Sequence, residues 1–246
     1  MHPFDIAQGF IEVCEACGES KVLKAAFGRS IAALGFKHFA CCSHVDPLNP
    51  PASAVVLLDY PPAWVEIFSA RHLDRIDPVF RFADHAAVPF FWDDPEFVAT
   101  LDAAQKAILA EARAMGLTRG YTIPIHAPGA LPASCSLVPD SQTIDAASLH
   151  AVHLMAAYLH EAAAPVNGQA DGHHLSRRER QCLELAAQGK SDWVIGQLLG
   201  ISDRTAHNHV ERAKRRFGVA SRTQAVVEAL FEHLISFGDV LKAKKP

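Results

Sequence analysis

The sequence predicts an α+β domain, with helices on both faces of one antiparallel sheet (an α-β-α sandwich), followed by an all-α domain of four helices that includes a helix-turn-helix. Three observations support this prediction. Strand-like segments lie between helical ones in residues 1–164, whereas residues 175–246 carry only helical patterns. Residues 165–174 lose all periodicity and collect Pro, Gly, Asn and Asp, as a linker does. Finally, Lys and Arg outnumber Asp and Glu by 13 to 8 after residue 174 and are outnumbered by 19 to 10 before it.

In the first region, apolar residues recur every three or four positions in segments 3–17 and 19–35, which predicts two amphipathic helices. Segments 36–44 and 52–60 are short and apolar, which predicts two strands. A helix opened by proline is expected at 61–73 and another near 96–116. Two more strands at 120–127 and 133–139 precede a closing helix at 146–163.

Four helices are expected in the second region, at about 176–188, 191–199, 202–217 and 222–235. Each start is marked by a serine suited to cap a helix: Ser176, Ser191, Ser202 and Ser221. Ser176 and Glu179 additionally form the pattern of a capping box. The second and third helices flank a turn at Gly200-Ile201, which is the spacing of a helix-turn-helix.

The third of these helices has an apolar stripe and a basic, amide-bearing outer face. Ala206, Val210, Ala213 and Phe217 share the stripe, so the remaining side chains face away from the core. Arg can pair with guanine and Asn with adenine, whereas Lys190, Lys214, Arg215 and Arg216 suit phosphates. The alternative is a solvated helix whose charge serves only solubility. We predict DNA contacts from Lys190, Arg204, Thr205, His207, Asn208, Glu211, Arg212 and Arg215.

Residues 175–235 resemble the DNA-binding domain of the LuxR family. They carry its L-S-x-R-E opening, its GKS, L-x-I-S and T-x-x-x-H-V motifs, and its R-x-Q-A segment. Gly196, Ala206 and Ala186 depart from the pattern, because the family usually has Ala, Val and often an aromatic residue there. Smaller core side chains are expected to weaken packing without abolishing the fold.

The first region shows no recognisable receiver domain, phosphate-binding glycine loop, nucleophile elbow or cluster of metal ligands. Residues 59–94 instead resemble the autoinducer-binding domain of quorum-sensing LuxR-type receptors, which bind N-acyl homoserine lactones. The positions that carry the resemblance are Tyr60, Trp64, Asp77, Pro78 and Trp92, followed by Gly120. Phe68 stands where the family often has a tyrosine.

A buried acyl homoserine lactone needs a partner for its amide N–H and for two carbonyls, because each loses water on entry. Asp77 can accept from the amide N–H, Tyr60 can donate to the amide carbonyl, and Trp64 can donate to the lactone carbonyl, roles that the resemblance also implies. Further pocket residues are expected at Ser136, Val56, Leu58, Phe68, Phe80 and Trp92. Taken singly, the tryptophans are ordinary core residues, Asp77-Pro78 is a helix cap or turn, and Tyr60 is held extended by the following proline.

We therefore expect a cytoplasmic regulator that acts as a homodimer on inverted-repeat double-stranded DNA, with RNA polymerase as a candidate partner and with no cofactor, metal or catalytic activity. No signal peptide or membrane span is apparent, and the six cysteines are expected to be reduced. Cys14 and Cys17 have the spacing of half a zinc site, but matching ligands are missing. Two alternatives stay open: a LuxR-type regulator for another small molecule, such as an aryl or plant-derived compound, and an enzyme fused to a DNA-binding domain.

Overall fold

The computed structural model describes residues 2–127, 130–141, 143–164, 175–232 and 234–241. The chain separates into two compact units, one holding every helix and strand up to Ala163 and the other every helix from Arg177 onward. The linker predicted at 165–174 lies outside the described residues. The boundaries drawn at 164 and 175 stay predictions.

The first unit is built on a five-stranded, fully antiparallel sheet in the order β2-β1-β5-β4-β3. The strands are β1 (Phe36–Ser43), β2 (Val56–Leu58), β3 (Phe90–Phe91), β4 (Tyr121–Ile125) and β5 (Ala133–Pro139). β5 is the central strand and pairs with both β1 and β4. All seven of its residues are buried, because helices cover both of its faces.

Helices α1 (Pro3–Ala16), α2 (Ser20–Ala33) and α7 (Ala146–Ala163) lie on one face of the sheet and share its main apolar core. The opposite face carries α3 (Pro62–Ala70), α4 (Pro78–Ala83), α5 (Pro95–Ala99) and α6 (Ala103–Ala114), with a short 3-10 helix at Leu73–Arg75. The α+β sandwich predicted from the sequence is therefore confirmed.

Several element bounds differ from the prediction. The helix expected at 96–116 is divided into α5 and α6, because Asp102 caps the second helix by accepting from the Gln105 N–H at 2.8 Å. The strand expected at 52–60 is ordered as β2 over only three residues. The short elements α4 and β3 were not predicted.

The second unit contains α8 (Arg177–Ala187), α9 (Asp192–Leu199), α10 (Asp203–Phe217), α11 (Arg222–Phe231) and α12 (Phe237–Leu241). All four serines predicted as caps accept a hydrogen bond from the backbone N–H three residues on, which confirms the predicted starts. The last predicted helix ends at Phe231 rather than at 235, and α12 is an additional fifth helix.

The turn between α9 and α10 is tight. Gly200 adopts φ +67°, the left-handed conformation that favours glycine, and the Ile201 N–H donates to the Gly196 carbonyl at 3.0 Å. A Cβ on Gly196 would lie 2.8 Å from the Ile201 carbonyl oxygen. Gly196 therefore faces the backbone of the turn, and a larger side chain at this position would force the turn to widen. The glycine does not leave an unfilled gap in the core.

Candidate functional site

A cavity in the first unit lies between the sheet and the layer of helices α3, α4 and α6. Its walls come from β1, β2 and β5 on one side and from those helices on the other, so residues far apart in the sequence meet around it. Eight of the nine predicted pocket residues line this cavity: Leu58, Tyr60, Trp64, Phe68, Asp77, Phe80, Trp92 and Ser136.

Val56 is the exception and does not line the cavity. The predicted strand face is right, because Leu57 packs into the core on the side of α1, α2 and α7, which turns its neighbours Val56 and Leu58 toward the cavity side. Val56 lies opposite Cys42, which lines the cavity, but edge strand β2 contributes Leu58 to the wall and not Val56. Strand alternation identified the face but could not give the extent of the cavity along it.

Asp77 both caps a helix and lines the cavity. Its carboxylate accepts from the Phe80 N–H at 2.8 Å at the start of α4, so the capping role considered from the sequence is real. The side chain is also buried, with 7% of the residue exposed. Burial raises the pKa of Asp77 to about 6, and the backbone N–H groups of Phe80 and Val79 oppose that rise.

Two hydrogen-bond donors belong to residues that line the cavity. The Tyr60 hydroxyl is buried and makes no hydrogen bond to any described residue. Burial raises the pKa of Tyr60 well above its ordinary value, so the hydroxyl is protonated and able to donate. Trp64, whose indole N–H can only donate, also lines the cavity and is only 5% exposed. Buried polar groups are normally paired, so both are candidates for contact with a ligand.

Trp92 is held by a chain of hydrogen bonds that crosses two strands. Its indole N–H donates to the Thr122 hydroxyl at 2.9 Å, and this hydroxyl lies 2.8 Å from that of Ser136. Thr122 and Ser136 are direct partners in the β4–β5 pairing. Sequence reasoning missed Thr122. Its position beside Ser136 follows only once the register of the β4–β5 pairing is known.

Gly120 fits against the Trp92 ring. The Gly120 carbonyl accepts from the backbone N–H of Trp92 at 2.9 Å. A Cβ built on Gly120 would overlap the six-membered ring of the Trp92 indole. The glycine therefore allows Trp92 to lie flat against the chain at the edge of the cavity.

Aromatic rings form a continuous wall. Trp64 and Phe68 meet edge to face with their centroids 6.1 Å apart, and Phe68 and Phe80 do so at 5.9 Å. Sequence reasoning predicted a helix near 96–116 but missed its apolar contribution to the cavity, which comes from Ile108, Leu109 and Ala112 of α6.

A second polar group, also missed, lies at Ser134. The Ser134 hydroxyl is 3.0 Å from His44 Nε2, and His44 Nδ1 is 2.6 Å from an Asp84 carboxylate oxygen. The imidazole stacks on the Phe80 ring with centroids 4.3 Å apart. Ser134 lines the cavity. No local signal identifies this group, because its members lie 40 and 90 residues apart.

In the second unit, α10 presents the face predicted to contact DNA. Ala206, Val210 and Ala213 are buried. The predicted DNA-contacting residues on α10 that are exposed are Arg204, Thr205, His207, Asn208, Arg212 and Arg215, whereas Glu211 and Lys190 are half-buried.

Ion pairs distinguish some basic side chains of α10 from others. Lys214 pairs with Glu211 at 2.7 Å, Arg216 lies 3.6 Å from Glu179, and Asp192 lies 2.9 Å from His207. Within the described residues, the side chains of Arg204, Arg212 and Arg215 make no ion pair. Within α10, these three guanidinium groups are therefore the cations most available to an external anion.

Among the described residues, no three His, Cys, Asp or Glu side chains lie close enough together to hold a metal ion. All six cysteines are free thiols. In the described part of the chain, no helix has the length and apolar character that a membrane crossing requires.

An antiparallel α+β sandwich with a mainly apolar cavity, together with a helical unit whose helix-turn-helix exposes a basic face, defines a ligand-responsive DNA-binding regulator. Comparison with known proteins gives the family. Residues 20–163 match the family described as the autoinducer binding domain, and residues 173–229 match the bacterial regulatory proteins of the luxR family. The chain belongs to the LuxR-type autoinducer-binding transcriptional regulators.

Individual relatives agree with this assignment. The transcriptional activator protein BjaR1 of Bradyrhizobium diazoefficiens is 31% identical over 218 residues, covering 87% of this chain and 88% of BjaR1. The quorum sensing-dependent transcriptional regulator RpaR of Rhodopseudomonas palustris is 29% identical over 220 residues, covering 88% and 90%. The structure of SdiA in complex with octanoyl-rac-glycerol superposes with a TM-score of 0.73 at 21% identity, covering 95% of this chain and 96% of SdiA, which shows a shared fold.

Proposed function

We propose that this protein senses an N-acyl homoserine lactone and, in response, binds operator DNA as a homodimer to regulate transcription. The observation that carries the proposal is the meeting of three unlike polar groups in one apolar cavity. The residues that line it include Asp77 with its carboxylate, Tyr60 with its unpartnered hydroxyl and Trp64 with its indole N–H.

These groups complement the polar atoms of such a lactone. Asp77 accepts the ligand's amide N–H, Tyr60 donates to the amide carbonyl, and Trp64 donates to the lactone carbonyl. Ser136 is the second donor for the amide carbonyl, because its hydroxyl lines the cavity beside Thr122. The apolar remainder of the cavity takes the acyl chain.

Ligand extraction tests the proposal directly. Protein purified from cells grown with a panel of acyl homoserine lactones would be denatured, and the released small molecule identified by mass spectrometry. We expect an intact lactone in near-stoichiometric amount. Recovery of an aryl or plant-derived compound in its place would favour the alternative ligand class, and recovery of a hydrolysed lactone would favour an enzyme. We assign the protein no catalytic step and no cofactor.

Base recognition is expected from the exposed face of α10. Asn208→Ala and Arg212→Ala should each lower the discrimination between operator and scrambled DNA by about 1 to 3 kcal/mol, because both side chains point away from the buried stripe. Lys190→Ala is the matched control and should weaken binding to both DNAs equally, as the loss of a phosphate contact does. Gel shifts measure both quantities. If all three variants lose affinity uniformly, α10 is not the element that reads the bases.

Dimerisation is expected through apolar side chains that the isolated chain leaves exposed. Leu154 and Tyr158 on α7 are 41% and 38% exposed, and Val227 and Phe231 on α11 are 57% and 42% exposed. A two-fold dimer matches an inverted-repeat operator and doubles the contacts of one helix-turn-helix. Analytical ultracentrifugation with saturating ligand and operator should give two chains per DNA site. A persistent monomer would contradict the proposal.

The remaining partners follow from this function. Because bacterial DNA is the target, we place the action of the protein in the cytoplasm. RNA polymerase is the proposed downstream partner, since several relatives are activators of transcription.

A further inference from the structure

The cavity has a second polar position, formed by Ser134, His44 and Asp84, that the recognition of a lactone and its amide does not use. His44 bridges the other two residues, with Nδ1 2.6 Å from Asp84 and Nε2 3.0 Å from the Ser134 hydroxyl. The imidazole is nearly buried, with 6% of its side chain exposed, and stacks within 15° of parallel on Phe80. Its orientation is therefore fixed by contacts on its edge and on its face.

The direction of these hydrogen bonds decides what Ser134 offers to a ligand. Burial lowers the pKa of His44, and the nearby charge of His126 lowers it further, whereas Asp84 raises it. Because the net shift is downward, the imidazole is neutral near pH 7. A carboxylate can only accept, which places the ring proton on Nδ1 and leaves a lone pair on Nε2. The Ser134 hydroxyl must then donate to His44. Toward the cavity it presents lone pairs and no proton.

Strand geometry places this acceptor relative to the amide site. Ser134 and Ser136 are two residues apart on the same face of β5, a separation of about 6.8 Å. Trp64 shares an apolar cluster with Val138, which follows Ser136 on that face, whereas Ser134 precedes it. A lactone ring directed toward Trp64 therefore sends its acyl chain toward Ser134. An extended chain advances about 1.2 Å per bond, so the separation spans roughly five to six bonds and corresponds to a substituent near the fifth or sixth acyl carbon.

We propose that Ser134, oriented by His44 and Asp84, is a specificity-determining residue that selects a ligand whose acyl group carries a hydroxyl near its fifth carbon. This inference rests on the proposed lactone-sensing function, and it specifies which class of acyl group the same cavity prefers. A hydroxyl can donate to Ser134, whereas a ketone at the same place presents a second acceptor. An unsubstituted chain leaves the acceptor of Ser134 buried and unpaired.

The same three residues have the order of a serine hydrolase triad, but their setting favours recognition. Ser134 lies in the middle of a sheet and is paired on both sides, with Cys42 of β1 and Pro124 of β4. The N–H groups of a doubly paired strand point along the sheet toward its neighbours. They are not directed into the cavity, where a developing oxyanion would need them.

Three matched ligands test the inference with the full-length protein: N-hexanoyl, N-(5-hydroxyhexanoyl) and N-(5-oxohexanoyl) homoserine lactone. Wild-type protein should bind the hydroxy ligand about 5- to 10-fold more tightly than the oxo ligand, in competition binding or a cellular reporter assay. In Ser134→Ala the hydroxy and oxo ligands should bind with about equal affinity. In His44→Phe, which keeps an aromatic ring against Phe80 but removes the acceptor Nε2, the freed Ser134 proton should reverse the preference toward the oxo ligand.

Ser136→Ala is the matched control, because it should weaken all three ligands alike and leave their ratio unchanged. If wild type binds none of these three lactones but ligand extraction recovers another acyl homoserine lactone, only the inference is overturned; if extraction also recovers no lactone, the proposed function fails as well. If all three bind but the oxo ligand equals or exceeds the hydroxy ligand in wild type, or if Ser134→Ala leaves the ratio intact, only the inference is overturned. The wild-type ratio decides the question even if both variants at the cluster are insoluble.

Discussion

Replacing Asp77 by Asn is expected to weaken lactone binding by roughly 10- to 100-fold while leaving the fold almost unchanged. The carboxylate makes a charge-assisted hydrogen bond to the ligand's amide N–H, and the amide of Asn loses that charge. Asn is an equally good helix cap, so the bond from the Phe80 N–H at the start of α4 should survive. Calorimetric titration of ligand-free protein measures the effect, or competition in cells where the free protein is insoluble.

Asp102 provides a matched control for the capping role. It caps α6 with the same 2.8 Å bond to a backbone N–H and does not line the cavity. Asp102→Asn should therefore bind the lactone like wild type. Equal affinities for Asp77→Asn and wild type would show that Asp77 is a cap only and would remove it from the site.

The raised pKa of Asp77 gives ligand binding a dependence on pH. In the ligand-free protein the pKa of this carboxyl is about 6, and a bound amide N–H favours the ionised form and lowers it. Ligand affinity should therefore be highest above pH 6 and fall as the pH decreases through 6. The same raised pKa makes the folding contribution of Asp77 less favourable as the pH rises from about 4, its unfolded value, through 6. Titrations at several pH values check this, since Asp77→Asn should lack the decline.

Gly120→Ala is expected to have the second large effect, because the new methyl group would overlap the Trp92 indole. Relief requires Trp92 to move, which breaks its 2.9 Å bond to Thr122 and alters the wall of the cavity. Overpacking of this kind costs about 1 to 3 kcal/mol of stability, occasionally more. We expect a lower melting temperature and a large loss of ligand-dependent reporter activity.

Two controls isolate the overlap. Gly9→Ala lies on an exposed part of α1 with no atom within 4 Å of the new methyl group, and should be neutral or stabilise by up to about 1 kcal/mol. In a Trp92→Ala background, Gly120→Ala should lose most of its effect, because the overlapping ring is gone. Equal penalties with and without the Trp92 ring would contradict this explanation.

The features that the sequence predicted well are local ones. Serine caps depend on a residue and the backbone three positions later, so Ser176, Ser191, Ser202 and Ser221 could be placed without knowledge of the tertiary fold. The same holds for the buried stripe of α10, which follows from helical periodicity. The basic helix and the spacing of the residues from Tyr60 to Trp92 were also sufficient to recognise the family from the sequence.

The features that were missed depend on contacts between distant segments. Thr122 reaches the cavity only because β4 pairs with β5 in one register, and His44 meets Ser134 across 90 residues. Strand alternation put Val56 and Leu58 on the same face but could not show that the cavity reaches only Leu58. Two-residue β3 and six-residue α4 are too short for a periodic signal, and their positions follow from pairing and capping.

The unpartnered Tyr60 hydroxyl has a consequence for the lifetime of the protein in the cell. A buried donor without an acceptor destabilises the empty receptor by about 1 to 3 kcal/mol, and a ligand present at 100 times its dissociation constant adds about 2.7 kcal/mol to the stability of the folded state. Proteases remove chains in proportion to the time that they spend unfolded. Signal concentration would then set how many receptor molecules survive as well as how many are occupied, and the response to a rising signal would be steeper than a simple binding curve.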